Sequence, residues 1–181
     1  MRILLVSLCC DPLSELEFVK PILNILCSLS ANVLVKHYTE VNPKDLSYVE
    51  KVIICGSALR DDKFLVGEWF RWLEECDKPV LGVGSSFQVI AKTFHCALLK
   101  KTRIGLFNVK VTRENILVSE KEFYAYFQTG KVAKISKPLE TLARTGTLDC
   151  MVKHKSKDIY GCLFHPEVTK PEIISNFILK T

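Results

Sequence analysis

Glycine and proline are scarce, at eight and seven of 181 residues, which leaves no room for a collagen-like, linker-like or low-complexity architecture. No internal repeat is present, which excludes a solenoid or propeller. Long apolar runs are missing as well. Nothing approaches the roughly 20 residues that a membrane-spanning helix requires. The run Ile3–Cys10 is cut by Asp11-Pro12 before it could form the core and cleavage site of an export signal. Among eight cysteines there is no Cys-x-x-Cys pair, and Cys9 and Cys10 are adjacent, so no metal site is expected. Most of the cysteines read as reduced, small core residues of a cytoplasmic protein.

Charge of one sign is also modest, with a net value of +5. The densest basic spots are Lys100, Lys101 and Arg103, then Lys153, His154, Lys155 and Lys157. Neither has interleaved aromatic residues, so both read as solvated turns and nucleic-acid binding is not expected. What is abundant is apolar residues, 48% of the chain, enough to bury a core. No linker interrupts the sequence, and one domain over residues 1–181 is the economical reading.

Short branched runs alternate with helical periodicity in the first half. Arg2–Ser7, Asn32–His37, Lys51–Cys55 and Pro79–Val83 read as strands, the third ended by Gly56. From Ser14, a candidate N-cap with Glu17 completing a capping box, Leu16, Val19, Ile22, Leu23, Leu26 and Leu29 recur at helical spacing. Helices are also expected over Lys63–Glu75, burying Trp69, and over Ser86–Phe94. Almost wholly apolar strands alternating with helices predict an α/β fold: three layers, with a mostly parallel central sheet covered on both faces. The second half instead offers extended segments at Ile104–Thr112, Ile116–Ser119 and Glu122–Phe127. A hairpin of Leu148–His154 with Ile159–Phe164 and a last helix over Pro171–Leu179 follow.

Two stretches carry chemistry. Lys78–Ala91 runs a buried strand through a glycine-rich corner into an apolar helix, the geometry of a nucleophile elbow, where helix N-terminal N–H groups favour negative charge. Phosphate-binding loops share that outline. Tyr160–Val168 delivers His165 to a strand end, with Pro166 stopping the strand and Glu167 two residues on, as a base with an orienting carboxylate requires.

Together, in this order, these stretches resemble the class I glutamine amidotransferases. The resemblance covers nearly the whole chain, including Lys51–Ala58, Leu139–Thr145 and Phe164–Val168. It implies a flavodoxin-like sheet with a C-terminal antiparallel hairpin. It also implies glutamine hydrolysis to glutamate and ammonia, passed to a synthase or acceptor protein, with no cofactor. Catalytic roles fall on His165 and Glu167, and ligand-binding roles on Gly56, Ser85 and Gln88, for glutamine or a related small molecule.

The departures are informative. The family's elbow reads Gly-x-Cys-x-Gly-x-Gln, and here the register from Gly82 to Gln88 places Gly84 where the cysteine belongs and Ser86 where the second glycine belongs. Where the family tends to carry a histidine, this chain has Phe127-Gln128-Thr129. Glycine has no side chain to attack a carboxamide, and it relieves the strained backbone of an elbow. The expectation is therefore a binding or regulatory module without glutaminase activity. Two alternatives stay open. One is an active hydrolase using Ser85, Ser86 or Cys55 as a displaced nucleophile with His165 as base. The other is an unrelated flavodoxin-like module holding a nucleotide or phosphate at Gly82–Ser86, although a Walker lysine is missing. Ser86 is the candidate N-cap of its helix.

Overall fold

The computed structural model describes every residue from Met1 to Thr181. Nine strands form one sheet: β1 (Arg2–Ser7), β2 (Asn32–His37), β3 (Lys51–Ile54), β4 (Val80–Val83), β5 (Ala97–Val111), β6 (Glu122–Lys134), β7 (Leu139–Thr145), β8 (Leu148–His154) and β9 (Ile159–Cys162). Their order is β2-β1-β3-β4-β9-β8-β7-β5-β6. Pairings from β2 through β9 are parallel, and those from β9 to β6 are antiparallel. The fold is α/β, as the alternation predicts.

Every residue of β3, β4 and β9 is buried, and so is all of β1 after Arg2. Strands buried on both faces need layers on both sides. The helices are α1 (Glu15–Phe18), α2 (Lys20–Ser28), α3 (Pro43–Tyr48), α4 (Trp72–Glu75), α5 (Ser86–Thr93), α6 (Pro166–Thr169) and α7 (Glu172–Lys180). None is long and apolar enough to cross a membrane. Register puts Gly82 opposite Ile54 on one side and Gly161 on the other, so β3, β4 and β9 end together. Open α/β sheets bind ligands at such carboxyl ends.

Several expectations fail for local reasons. The helix expected over Lys63–Glu75 is a 3-10 turn at Lys63–Leu65 and the single turn α4. Between them Val66 is extended and Gly67 adopts φ +87°, a conformation no helix contains, which leaves Trp69 47% exposed. Ser14 makes no cap hydrogen bond; Asp11 caps instead, its carboxylate accepting from the Leu13 N–H at 2.9 Å. The helix that follows is interrupted at Val19, just before Lys20-Pro21, and Leu16 is 68% exposed. Helix α3 is not evident from hydrophobic periodicity, although its capping box is complete: Asn42 Oδ1 accepts from Asp45 N at 3.3 Å, and Asp45 Oδ2 accepts from Asn42 N at 3.0 Å.

The long β5–β6 ribbon starts earlier and ends later than its hydrophobic pattern suggests. Lys100, Lys101 and Arg103 belong to β5 and not to a turn. Ile116–Ser119 is a loop, with the Leu117 and Val118 N–H groups donating to Asn115 Oδ1. The hairpin of β8 and β9 forms as expected, Met151 facing Cys162. No disulfide links the eight cysteines, and only Cys10 and Cys27 are exposed.

Candidate functional site

Three backbone ends converge. β3 runs out at Gly56, β4 at Gly84, and β9 continues through Leu163 and Phe164 to His165. His165 is fixed twice by backbone: its N–H donates to Tyr126 O at 2.8 Å, and its carbonyl accepts from Val168 N in the first turn of α6. Pro166 opens that turn, a position where its missing N–H costs nothing. Gly84 sits in the corner before α5 at φ +60°, its N–H donating to Cys162 O at 2.8 Å. Residues with a Cβ adopt that backbone only at a cost.

His165 Nδ1 lies 2.8 Å from Glu167 Oε1, and the two side chains are 3% and 1% exposed. A carboxylate there accepts a hydrogen bond from Nδ1–H, which fixes the orientation of the ring. Nε2 has no hydrogen-bond partner and is sealed from solvent, as is Glu167 Oε2. The ring leans into the space above both glycines. A Cβ on Gly84 would lie 2.6 Å from His165 Cε1 and 2.8 Å from Nε2, and a Cβ on Gly56 would lie 2.7 Å from Cε1. Carbon atoms do not approach so closely, so any side chain at either position would have to displace the imidazole.

The serines at the corner are engaged elsewhere. Ser85 Oγ is 3.0 Å from Ser57 Oγ and also accepts from the Ser57 N–H at 3.3 Å. Ser86 opens α5, but it is not a cap: its hydroxyl lies within hydrogen-bonding reach of the Ile54 and Val83 carbonyls, at 2.7 and 2.8 Å. Cys55 is fully buried, and burial pushes its thiol well above the ordinary range, with the charge of Glu167 adding to the effect. Burial also raises the Cys9 thiol, to about 11. Neither cysteine is a ready thiolate.

Beside the corner lies a cavity of about 320 Å³ bordered by Ser85, Gln88, Thr129 and Lys131, but not by Gly84, Gly56 or His165. Gln88 Nε2 donates to Thr129 Oγ1 at 2.8 Å and to Lys131 O at 3.1 Å, tying α5 to β6. The structure thus gathers Gly56, Gly84, His165 and Glu167 into one sealed cluster and turns Ser85 and Gln88 toward a separate opening. Sequence reading misses Ser57, buried against Ser85, and the aromatic wall of Phe18 and Tyr126, whose rings lie 5.7 and 6.4 Å from that of His165. Ser57 adjoins Gly56 and is within reach of inference; the wall depends on pairing register and is not.

Comparison with known proteins fits this geometry. The family model for glutamine amidotransferase class-I matches residues 14–181. A glutamine-hydrolyzing GMP synthase subunit from Methanocaldococcus jannaschii is 36% identical over 110 residues, covering 56% of this chain and 57% of that protein. Its counterpart from Thermoplasma acidophilum is 24% identical over 151 residues, covering 77% and 76%. The match thus spans little more than half the length of the Methanocaldococcus relative. Among solved structures, a glutamine amidotransferase from Thermotoga maritima superimposes with a TM-score of 0.73 at 12% identity, over 92% of this chain and 76% of that one. The family model covers nearly the whole sequence, which sets aside an unrelated flavodoxin-like module: the chain belongs to the class I glutamine amidotransferase family.

Proposed function

We propose that this chain, as a single domain over residues 1–181, is a class I glutamine amidotransferase domain without glutaminase activity that serves as a binding or regulatory module. The observation that carries the reading is the position of the imidazole. His165 Cε1 stands 2.6 Å from where a Cβ at residue 84 would be, so the space for a nucleophile's side chain is occupied. Gly84 then marks the missing cysteine, and His165 and Glu167 persist as a buried hydrogen-bonded pair. Loss of the nucleophile from a comparable relay lowers turnover about a million-fold. Gly56 supports the same reading, since its missing side chain gives the ring room. Ser85 and Gln88 border the neighbouring cavity, where a small ligand would sit. A synthase or other acceptor protein is the natural partner, given the relatives named as subunits of GMP synthase.

A second reading keeps activity with a displaced nucleophile. Its support is the intact pair at 2.8 Å with an unpartnered Nε2. Against it stand the engaged hydroxyls of Ser85 and Ser86 and the raised pKa of Cys55. Treatment with a glutamine-mimicking electrophile followed by peptide mass spectrometry separates the two. The first reading expects no adduct; a stoichiometric adduct on Ser85, Ser86 or Cys55 that is lost in His165→Ala establishes the second.

A further inference from the structure

The cavity beside the corner is unusual in its lining. Of its eleven bordering residues only Leu59 is hydrophobic. Small-molecule pockets are mostly apolar with a few polar groups, so a polar lining selects a ligand that is itself strongly polar or charged. The charges are Lys100, Lys101 and Lys131 against Asp61. Lys131 Nζ is paired with Asp62 Oδ2 at 3.1 Å, and Asp61 Oδ2 accepts from the Cys10 N–H at 3.0 Å. The side chains of Lys100, Lys101 and Thr102 are solvent-exposed, and with that of Gln128 beside them they make no ion pair or hydrogen bond within the chain.

The backbone explains how the two lysines come together. Lys100 pairs with Lys131 and Arg103 with Thr129, so Lys101 and Thr102 oppose Gly130 alone. In an unbroken pleat successive side chains point to opposite faces. This bulge breaks the alternation, and Lys100, Lys101 and Thr102 all border the same cavity. Bulges recur where a strand must re-aim a side chain toward a site. An anion held between the two ammonium groups is attracted to both.

We propose that this cavity receives a small dianion, a phosphate monoester or a dicarboxylate, through Lys100 and Lys101, with Thr102 and Gln128 as further hydrogen-bonding groups. A zwitterion such as glutamine fits less well, because its ammonium would face two lysines with Asp61 as the sole carboxylate on the wall. The volume of about 320 Å³ lies at the small end of ligand pockets and limits the guest to a compact molecule. The inference rests on reading the chain as a binding module and names what it binds.

Calorimetric titration of the full chain with inorganic phosphate, glutarate and glutamine at low ionic strength tests it. The expected result is saturable binding of phosphate, glutarate or both, at least about ten-fold tighter than glutamine. Phosphate alone would point to a phosphate monoester, and glutarate alone to a dicarboxylate. Lys100→Ala/Lys101→Ala should weaken that binding at least about ten-fold. Lys100→Gln/Lys101→Gln, which keeps side-chain length without charge, should do the same, and Lys155→Ala in the distant hairpin turn should leave it unchanged. The proposal is overturned if neither dianion binds saturably, if glutamine binds as tightly, or if both double variants bind like the parent. Ammonia is assayed in the same samples. Its release from glutamine would reject the non-hydrolytic reading, whereas the affinity comparison alone decides the ligand class.

Discussion

At the scale of single residues, Gly84 and His165 compete for one volume. Gly84→Ala adds a Cβ 2.6 Å from the imidazole and places it on a backbone at φ +60°. The expected cost is about 1–3 kcal/mol of unfolding free energy, measured by urea denaturation. Part of that cost is steric, so in a His165→Ala background it should shrink by roughly 1 kcal/mol. Equal costs in both backgrounds would show that the ring does not fill the space. Gly84→Cys should remain without turnover, since its thiol would have to push the ring away from the position a base needs.

His154 supplies a separate single-residue prediction. Its Nδ1 accepts N–H bonds from Ser156 at 3.2 Å and Lys157 at 3.1 Å, which a ring protonated on both nitrogens cannot do. Burial, then the charges of Lys157 and Lys153, hold its pKa below the ordinary histidine value. The unfolded chain therefore takes up the proton first. This contribution to stability is complete above the unfolded pKa of about 6.5 and is lost as the pH falls toward the folded value. The urea midpoint should fall between about pH 7.5 and 5.5, and His154→Gln should fall less. An identical drop in the variant would assign the effect to other groups.

At the scale of elements, the C-terminal helix is fastened by a strand of the sheet. Lys51, at the start of β3, points its Nζ at the last turn of α7, donating to Ile178 O at 2.9 Å and Thr181 Oγ1 at 2.7 Å. Carbonyls at a helix C-terminus lack intrahelical partners, and a cation there also meets the negative end of the helix dipole. Lys51→Met should cost about 1–3 kcal/mol and speed amide hydrogen exchange selectively in the last turn of α7. Uniformly faster exchange would mean that the lysine supports the whole fold and not this docking.

The same scale shows what is legible in the sequence. β1, β3, β4 and α5 are readable because every position of these strands except Arg2 is buried, and an unbroken apolar run has few other homes. α3 escapes a reading based on periodicity, although Asn42-Pro43 with Asp45 spells out its start. The hydrophobic pattern truncates β5 because the polar run Lys100–Arg103 spans the bulge, and a bulge erases the alternation that marks a strand. Lys100 and Lys101 read as a solvated turn for that reason. The meeting of Gly84 with His165 is legible through the family resemblance. The ring filling the vacant volume is not, since only the pairing of β3, β4 and β9 sets that distance.

At the scale of the whole molecule, the parallel half of the sheet carries the sealed cluster at its strand ends, and the antiparallel β5–β6 ribbon supplies the far wall of the open cavity. Gln88 bridges the two through Thr129. The cavity is thereby set apart from the sealed cluster: it borders Ser85 and Gln88 but not His165. The most direct test is the rate of ammonia release from glutamine by the pure chain, alone and with candidate synthase partners. The account predicts a rate equal to buffer in both cases, unchanged in His165→Ala. Steady release that vanishes in His165→Ala would contradict it.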